Sequence, residues 1–259
     1  MGKLEKISPS GRAGLAYFTG QRFSLERESP CMGTGNIPDH ALNLEVKECT
    51  LLFKYALSVR ALHEANLTAF ASSLMKQLEK FNVAPENFSL EESDSLFGYT
   101  LKVAFFDGFA TIILSPSSLE IRFKGLTSSY DFNIAAFVFC MAITNLNDRG
   151  NGKCHITWMG HATFTEPNVS DEFFKNLAPP NWSFGGRSAF CMGAEASKLE
   201  LEFAKLSLEN SYSYNNGAFL TVEMAGFSSK VASDGDLLWV RIAETFREFG
   251  LTPSLRKPD

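Results

Sequence analysis

One order of predicted secondary-structure elements occurs twice along the chain. In each copy an alternating strand precedes an amphipathic helix, three further strands and a closing helix, over residues 44–150 and 151–253. The segments EIRFKGLTSS and TVEMAGFSSK occupy equivalent places in the two copies. Similarity that recurs in one order is typical of duplication. The sequence therefore predicts two tandem βαβββα repeats, between a partly irregular lead-in over residues 1–43 and a short tail over residues 254–259.

Local patterns place the elements of the first repeat. Apolar residues alternate over residues 51–57, which predicts a strand, and recur with helical spacing over residues 67–81. The acidic stretch SLEESDS is expected to be a solvated loop. Asp107-Gly108 predicts a tight hairpin turn, and the Pro-Ser-Ser sequence at 116–118 predicts a second turn. Asp131 is the expected N-terminal cap of the helix that follows.

The second repeat opens with CHITWMGHATF, residues 154–164, which predicts a strand. Ser170 is the expected cap of a short helix, and Asp234 or Asp236 is the expected cap of the closing helix. Three strands lie between these helices in the predicted order. The second half therefore follows the same plan as the first.

Repeats of this kind join sheet to sheet, with helices covering an apolar face. The predicted fold is therefore α+β, with a largely antiparallel sheet, helices packed on one face and a pseudo-two-fold relation between the halves. The order of elements resembles that of duplicated folds such as the TATA-box-binding protein and the S-adenosylmethionine decarboxylases. The resemblance is one of topology and rests on no family motif, so it implies an architecture and no activity.

Cys154, His155 and His161 raise the question of a metal site. Successive side chains on a strand point to opposite faces, so Cys154 and His155 diverge. His155 and His161 share a face, but they lie about 20 Å apart at ~3.3 Å per residue. Zinc ligands lie within about 2.3 Å of their ion, so the two histidines cannot share one. The sequence predicts a structural strand here, and neither a metal nor another cofactor is expected.

The resemblance to the decarboxylases makes Ser117 a candidate catalytic residue. In those enzymes, a serine at the entrance of a strand is converted into a pyruvoyl group by backbone cleavage, and an acidic residue stands immediately before it. Pro116 occupies that place here. A turn is sufficient to account for this sequence, so a pyruvoyl enzyme is the weaker hypothesis.

Composition narrows the classes of partner. A net charge of −5 argues against a protein that binds nucleic acid or anionic lipid, since either needs a dense basic face. The 5 cysteines are scattered without a CxxC pair, which favours a reducing compartment. The chain begins without the apolar stretch of a signal peptide, and no apolar run approaches the length of a membrane span. The expected location is the cytoplasm, away from membranes.

The predicted function is non-catalytic binding of a protein or peptide, on the sheet surface or in the groove between the repeats. The candidate partner-binding residues are Trp182, Arg187, Arg149 and His161. The alternative is an enzyme or small-molecule binder with a site between the repeats; nucleic-acid binding is less favoured, and a homo-oligomer is compatible with each hypothesis. A broad exposed apolar patch would favour the first hypothesis, and a pocket with converging polar groups the second.

Overall fold

The computed structural model describes residues 41–57, 64–92, 98–146, 154–177, 186–192, 203–227 and 234–255. The strands are β1 Leu42–Ala56, β2 Phe88–Glu92, β3 Tyr99–Phe105, β4 Ala110–Leu114, β5 Ser118–Leu126, β6 Cys154–Phe164, β7 Gly186–Met192, β8 Phe203–Asn210, β9 Gly217–Phe227 and β10 Leu251–Ser254. The helices are α1 Glu64–Leu78, α2 Ser129–Asn145, α3 Ser170–Leu177 and α4 Gly235–Thr245.

The strands form one sheet in the order β2-β3-β4-β5-β1-β6-β9-β8-β7. Every neighbouring pair in this order is antiparallel. Strand β10 pairs with the first residues of β1 and runs parallel to it, with Leu42 opposite Leu251. The predicted α+β fold with a large antiparallel sheet is confirmed.

Helices cover one face of this sheet. From α2, Phe139 stacks on Phe53 of β1 at a ring-centroid distance of 4.4 Å. From α4, the ring of Trp239 lies 5.9 Å from that of Trp158 on β6. From α3, Phe173 packs against the last residue of β6. These sheet residues alternate with more exposed ones, so the face beneath the helices is the apolar core and the opposite face is open.

Strand β1 is longer than its predicted span because its apolar period changes phase. Its buried positions are even-numbered up to Val46 and odd-numbered from Cys49. The register with β6 shifts between Val46 and Glu48, which is a β-bulge. The bulge interrupts the alternation of buried and exposed residues, so only the part of the strand after it has a clear strand pattern. The predicted strand therefore begins at Leu51.

Strand β2 has no clear apolar pattern in the sequence. Glu91 and Glu92, expected in a solvated loop, lie instead on β2 opposite Thr100 and Tyr99. This strand is at one end of the strand order and its side chains after Phe88 are exposed, so it is held mainly by backbone pairing and apolar alternation is not required. Charged residues on such an edge also discourage pairing with other chains.

The helix caps differ in part from the predicted ones. At α2 the N-cap is Ser128, whose hydroxyl accepts a hydrogen bond from the Asp131 backbone N–H. Asp131 is the partner residue of this capping box, and its Oδ2 accepts hydrogen bonds from the N–H groups of Thr127 and Ser128, each at 2.9 Å. At α4 the prediction of Asp234 is confirmed, since its Oδ1 accepts from the Leu237 N–H.

Candidate functional site

The stretch containing Cys154, His155 and His161 is an unbroken strand, as predicted. Cys154 is buried on the helix-covered face, whereas His155 is exposed on the open face. Gly160 leaves room for the ring of Trp158, because a Cβ there would lie 2.6 Å from the indole. Within the described ranges, no group of three or more His, Cys, Asp or Glu residues could hold a metal ion.

The buried thiols are chemically protected. Burial raises the pKa of the Cys49 thiol to about 12 from an ordinary value of 9.0. Burial likewise raises the pKa of the Cys154 thiol to about 12. The thiolate is the reactive form, so neither cysteine is a nucleophile near neutral pH.

These thiols make the stability of the fold fall in alkaline solution. Below pH 9.0 each thiol is protonated in both states, and its contribution to stability is fully present. Between pH 9.0 and about 12 the unfolded chain loses these protons first, so each thiol lowers the free energy of unfolding by about 1 kcal/mol per pH unit. Urea titrations give the free energy of unfolding at each pH. We expect it to fall less steeply with pH over this range in Cys154→Ala than in the wild type. Parallel pH profiles would contradict the assignment, because all other alkaline titrations are common to both proteins.

Of the four candidate partner-binding residues, two lie outside the described residues: Arg149 and Trp182. Arg187 lies on β7, opposite Leu208 of β8, at one end of the strand order. Only His161 has a described environment among these candidates. The joint role of the four residues therefore stays a prediction.

His161 lies on the open face at the edge of a polar region. Its ring centroid is 4.8 Å from that of Phe219 and 5.9 Å from that of Tyr214. Its Nδ1 is 3.3 Å from Ser211 Oγ, which also accepts hydrogen bonds from the N–H groups of Ser213 and Tyr214. Because those two bonds use the lone pairs of the Ser211 hydroxyl, we assign its proton to the contact with Nδ1, which corresponds to the Nε2–H tautomer of the His161 ring.

Next to His161 is a cavity of about 280 Å³, which we call the amide cavity. Its lining residues are Asn168, Ser170, Asp171, Asn210, Ser211, Tyr214, Asn215 and Asn216. They come from the start of α3, the end of β8 and the turn that joins β8 to β9. All of them carry hydrogen-bonding groups.

Asn216 joins the two walls of the amide cavity. Its Oδ1 accepts hydrogen bonds from the N–H groups of Val169 and Ser170, at 2.9 and 3.0 Å. Its Nδ2 donates to the carbonyl oxygens of Phe164 and Glu166. The cap of α3 is therefore supplied by a residue from a distant turn, and Ser170, the predicted cap, is the first residue of the helix.

A second cavity, of about 380 Å³, lies between the β3–β4 hairpin and α2; we call it the aromatic pocket. Its lining residues are Phe106, Phe109, Phe123, Lys124, Gly125, Leu126, Asp131 and Ile134. Phe106 is 39% exposed and Phe109 is 57% exposed, values far above those of the core phenylalanines. The pocket therefore presents aromatic rings to solvent.

The hairpin turn holds these rings in place. Asp107 and Gly108 have φ angles of +53° and +84°, and the Phe109 N–H donates to the Phe106 carbonyl, which confirms the predicted tight turn. Phe106 itself has φ of +50°, a conformation that costs free energy for a bulky residue. The Phe109 ring lies over Gly125, where a Cβ would approach it to 3.3 Å.

The exposed aromatic surface continues beyond the pocket. The rings of Phe81 and Phe106 are 5.5 Å apart, and those of Phe81 and Phe137 are 6.3 Å apart. Phe137 is 42% exposed, with the Lys80 ammonium 3.7 Å from its ring centroid. We call Phe81, Phe106, Phe109 and Phe137 the aromatic patch. Two of its members, Phe106 and Phe109, flank the Asp107-Gly108 turn in the motif FFDGF.

The open face of the sheet is a third accessible surface. Its partly exposed central side chains are Thr50, Leu52, Thr157, Met159, Ser207 and Thr221. Ion pairs lie on either side of this centre, between Lys54 and Glu120 at 2.8 Å and between Lys205 and Glu223 at 3.4 Å. An uncharged centre with a charged margin is common in protein–protein interfaces.

Ser117 lies in the turn between β4 and β5, as its Pro-Ser-Ser sequence predicts. The turn is closed by Ser115, whose Oγ accepts a hydrogen bond from the Ser118 N–H at 3.1 Å. The Ser117 carbonyl accepts from the Leu57 N–H at 2.9 Å, and its side chain is exposed. These contacts describe a structural turn.

None of the described helices is both long and apolar enough to cross a membrane. No protein-family model matches the sequence, and no curated protein gives a significant match to it. Function therefore has to be argued from the three surfaces themselves.

Proposed function

We propose that the protein is a non-catalytic binding protein, and that an apolar side chain of a protein or peptide partner enters its aromatic pocket. The single observation that carries this function is the exposure of Phe106, Phe109 and Phe137 on one surface, where the ring of Phe81 lies between those of Phe106 and Phe137. Contiguous exposed aromatic surface is costly in water and marks interaction sites. Aromatic residues also supply most of the binding energy in many interfaces.

Charge around the patch specifies the partner further. Lys124 lines the pocket and is exposed, and Lys80 lies against Phe137. Of the acidic groups nearby, Asp131 directs its Oδ2 to the cap of α2, and Asp107 lies at the tip of the turn. A partner segment with an aliphatic or aromatic residue next to an acidic one would complement this surface.

The scaffold is, on this proposal, a duplicated unit. Residues 44–150 and 151–253 are the two copies, related by a pseudo-two-fold axis between β1 and β6. The strand order supports it, because β5 flanks β1 as β9 flanks β6, with β4 and β8 next in each direction. In each copy a helix also follows the antiparallel strands, and these helices, α2 and α4, meet where Asn133 Nδ2 donates to Asp236 Oδ1 at 3.2 Å.

We place the protein in the cytoplasm. Cys49, Cys140 and Cys154 are free thiols, a state that a reducing compartment maintains.

A random peptide library tests the function. Peptides selected on the wild-type protein will share an apolar residue beside an acidic one. Phe109→Ala will weaken the best of them by about tenfold or more, because truncating an aromatic anchor removes its contact area. The matched control is Tyr212→Ala, since Tyr212 is 87% exposed on a different turn. Fluorescence anisotropy gives the dissociation constants.

A variant of the open face separates the two possible docking surfaces. Met159→Glu places a charge at the centre of that face and leaves the patch intact. We expect its affinity for the selected peptides to equal that of the wild type. Loss of affinity in Met159→Glu with retention in Phe109→Ala would contradict the aromatic patch and move the docking site to the open face. Failure to enrich any peptide would contradict the function itself.

A further inference from the structure

The amide cavity contains hydrogen-bonding groups that the fold does not use. The side chains of Asn168, Asn210 and Asn215 line it, and none of them forms a hydrogen bond with another described residue. Each free carboxamide offers two donor hydrogens and an acceptor oxygen. Asn216, in contrast, is fully engaged in joining the cavity walls. The cavity therefore has a rigid wall and a set of available amides.

Ser170 adds a hydroxyl to the available groups of the cavity. It is only 6% exposed, lines the cavity, and has a hydroxyl that bonds to no other described residue. This hydroxyl is not one of the enclosed and unpaired side-chain atoms of the described residues, so it can be reached from the cavity. A bound molecule with its own hydrogen-bonding groups can therefore bond to it.

The charge of the cavity limits what can bind. Among the described residues that line it, Asp171 alone is charged, and it stands in the first turn of α3 with Glu172. These carboxylates oppose the attraction of a helix N-terminus for anions, so a phosphate is disfavoured. The lining is otherwise neutral, with amides, hydroxyls and one phenol, which favours a neutral ligand.

We propose that the amide cavity binds a neutral carbohydrate, recognised by its hydroxyl groups. Sugar hydroxyls donate and accept hydrogen bonds, as the carboxamides of Asn168, Asn210 and Asn215 do. Tyr214 lines the same cavity and offers aromatic surface to the apolar C–H face of a sugar ring. A volume of about 280 Å³ lies just below the usual range of ligand pockets, which suits one ring or the end of a glycan. This site is separate from the aromatic patch and does not depend on the proposed function.

Side-chain amide resonances test the site directly. The probes are the methyl glycosides of glucose, galactose and mannose, N-acetylglucosamine, and inorganic phosphate, each titrated into ¹⁵N-labelled protein. We expect at least one sugar to shift the side-chain NH₂ signals of Asn168, Asn210 and Asn215, with no shift at Asn82, an exposed asparagine elsewhere. Phosphate is expected to leave all of these signals unchanged.

A variant pair establishes whether the amides carry the affinity. Asn215→Ala removes an exposed side chain and will weaken sugar binding by about threefold to tenfold, the value of one hydrogen bond. Asn82→Ala is the control and will bind as the wild type does. Backbone amide spectra will show that both variants keep the fold. The proposal is overturned if no sugar shifts the cavity amides, if phosphate shifts them instead, or if Asn215→Ala retains full affinity.

Discussion

Trp158→Ala will lower the free energy of unfolding by about 3–5 kcal/mol. The side chain is completely buried on the central strand β6, and its ring lies 5.9 Å from Trp239 and 6.0 Å from Phe246. Truncation leaves a large cavity between the sheet and α4, where rigid neighbours on both sides limit collapse. Urea denaturation followed by circular dichroism gives the change, because it does not rely on the fluorescence of the deleted indole.

Thr157→Ala is the matched control for Trp158→Ala. Thr157 is the neighbouring residue on the same strand, but its side chain is partly exposed on the open face. We expect it to cost less than about 1 kcal/mol. Similar losses in the two variants would contradict the assignment of the helices to one face of the sheet.

Gly235→Ala will lower the free energy of unfolding by about 3 kcal/mol, the upper end of the cost of overpacking. Gly235 begins α4 at its crossing with α2. A Cβ there would lie 2.5 Å from the Asn133 nitrogen and 2.6 Å from the Phe132 carbonyl oxygen. Backbone atoms cannot swing aside as a side chain can, so the helices must separate.

The sign of the Gly235 effect distinguishes packing from helix propensity. Alanine normally stabilises a helix relative to glycine by about 1 kcal/mol. A lower free energy of unfolding in Gly235→Ala would therefore come from the close contact between α2 and α4. Gly108→Ala is the control, because its Cβ would meet nothing within 4 Å and only its φ of +84° opposes the change. That variant will cost about 1–2 kcal/mol. Equal stability of Gly235→Ala and the wild type would show that α2 and α4 do not cross so closely.

Elements with a local pattern could be predicted from the sequence. Strand β6 alternates over its whole length, and the Asp107-Gly108 turn and the Asp234 cap depend on neighbouring residues alone. Each is confirmed because nothing outside the local segment overrides the preference of its residues.

Elements that depend on distant partners could not be predicted. Strand β10 has only 4 residues, including Pro253, and exists because the start of β1 lies beside it. The cap of α3 comes from Asn216, whose Oδ1 accepts a hydrogen bond from the Ser170 N–H. The two residues are 46 positions apart in the sequence. Non-local pairs of this kind leave no periodic signal in the chain.

The candidate surfaces also could not be predicted from local sequence patterns. Phe105 and Phe106 are adjacent and identical in type, yet Phe105 is 3% exposed and Phe106 is 39% exposed. Which of them faces solvent is decided by the positive φ angle at Phe106 and by the packing of the hairpin on α2. The amide cavity likewise arises only when the β8–β9 turn reaches the start of α3.

A photo-reactive benzoylphenylalanine in place of Phe109, introduced in living cells of the source organism, tests most directly whether the aromatic patch meets a partner. We expect irradiation to give a discrete adduct from position 109, and none when the same residue replaces Tyr212. A second substitution, Phe106→Ala, will reduce the yield of that adduct. Identical patterns from both positions, or no adduct from position 109, would contradict a protein partner at this surface.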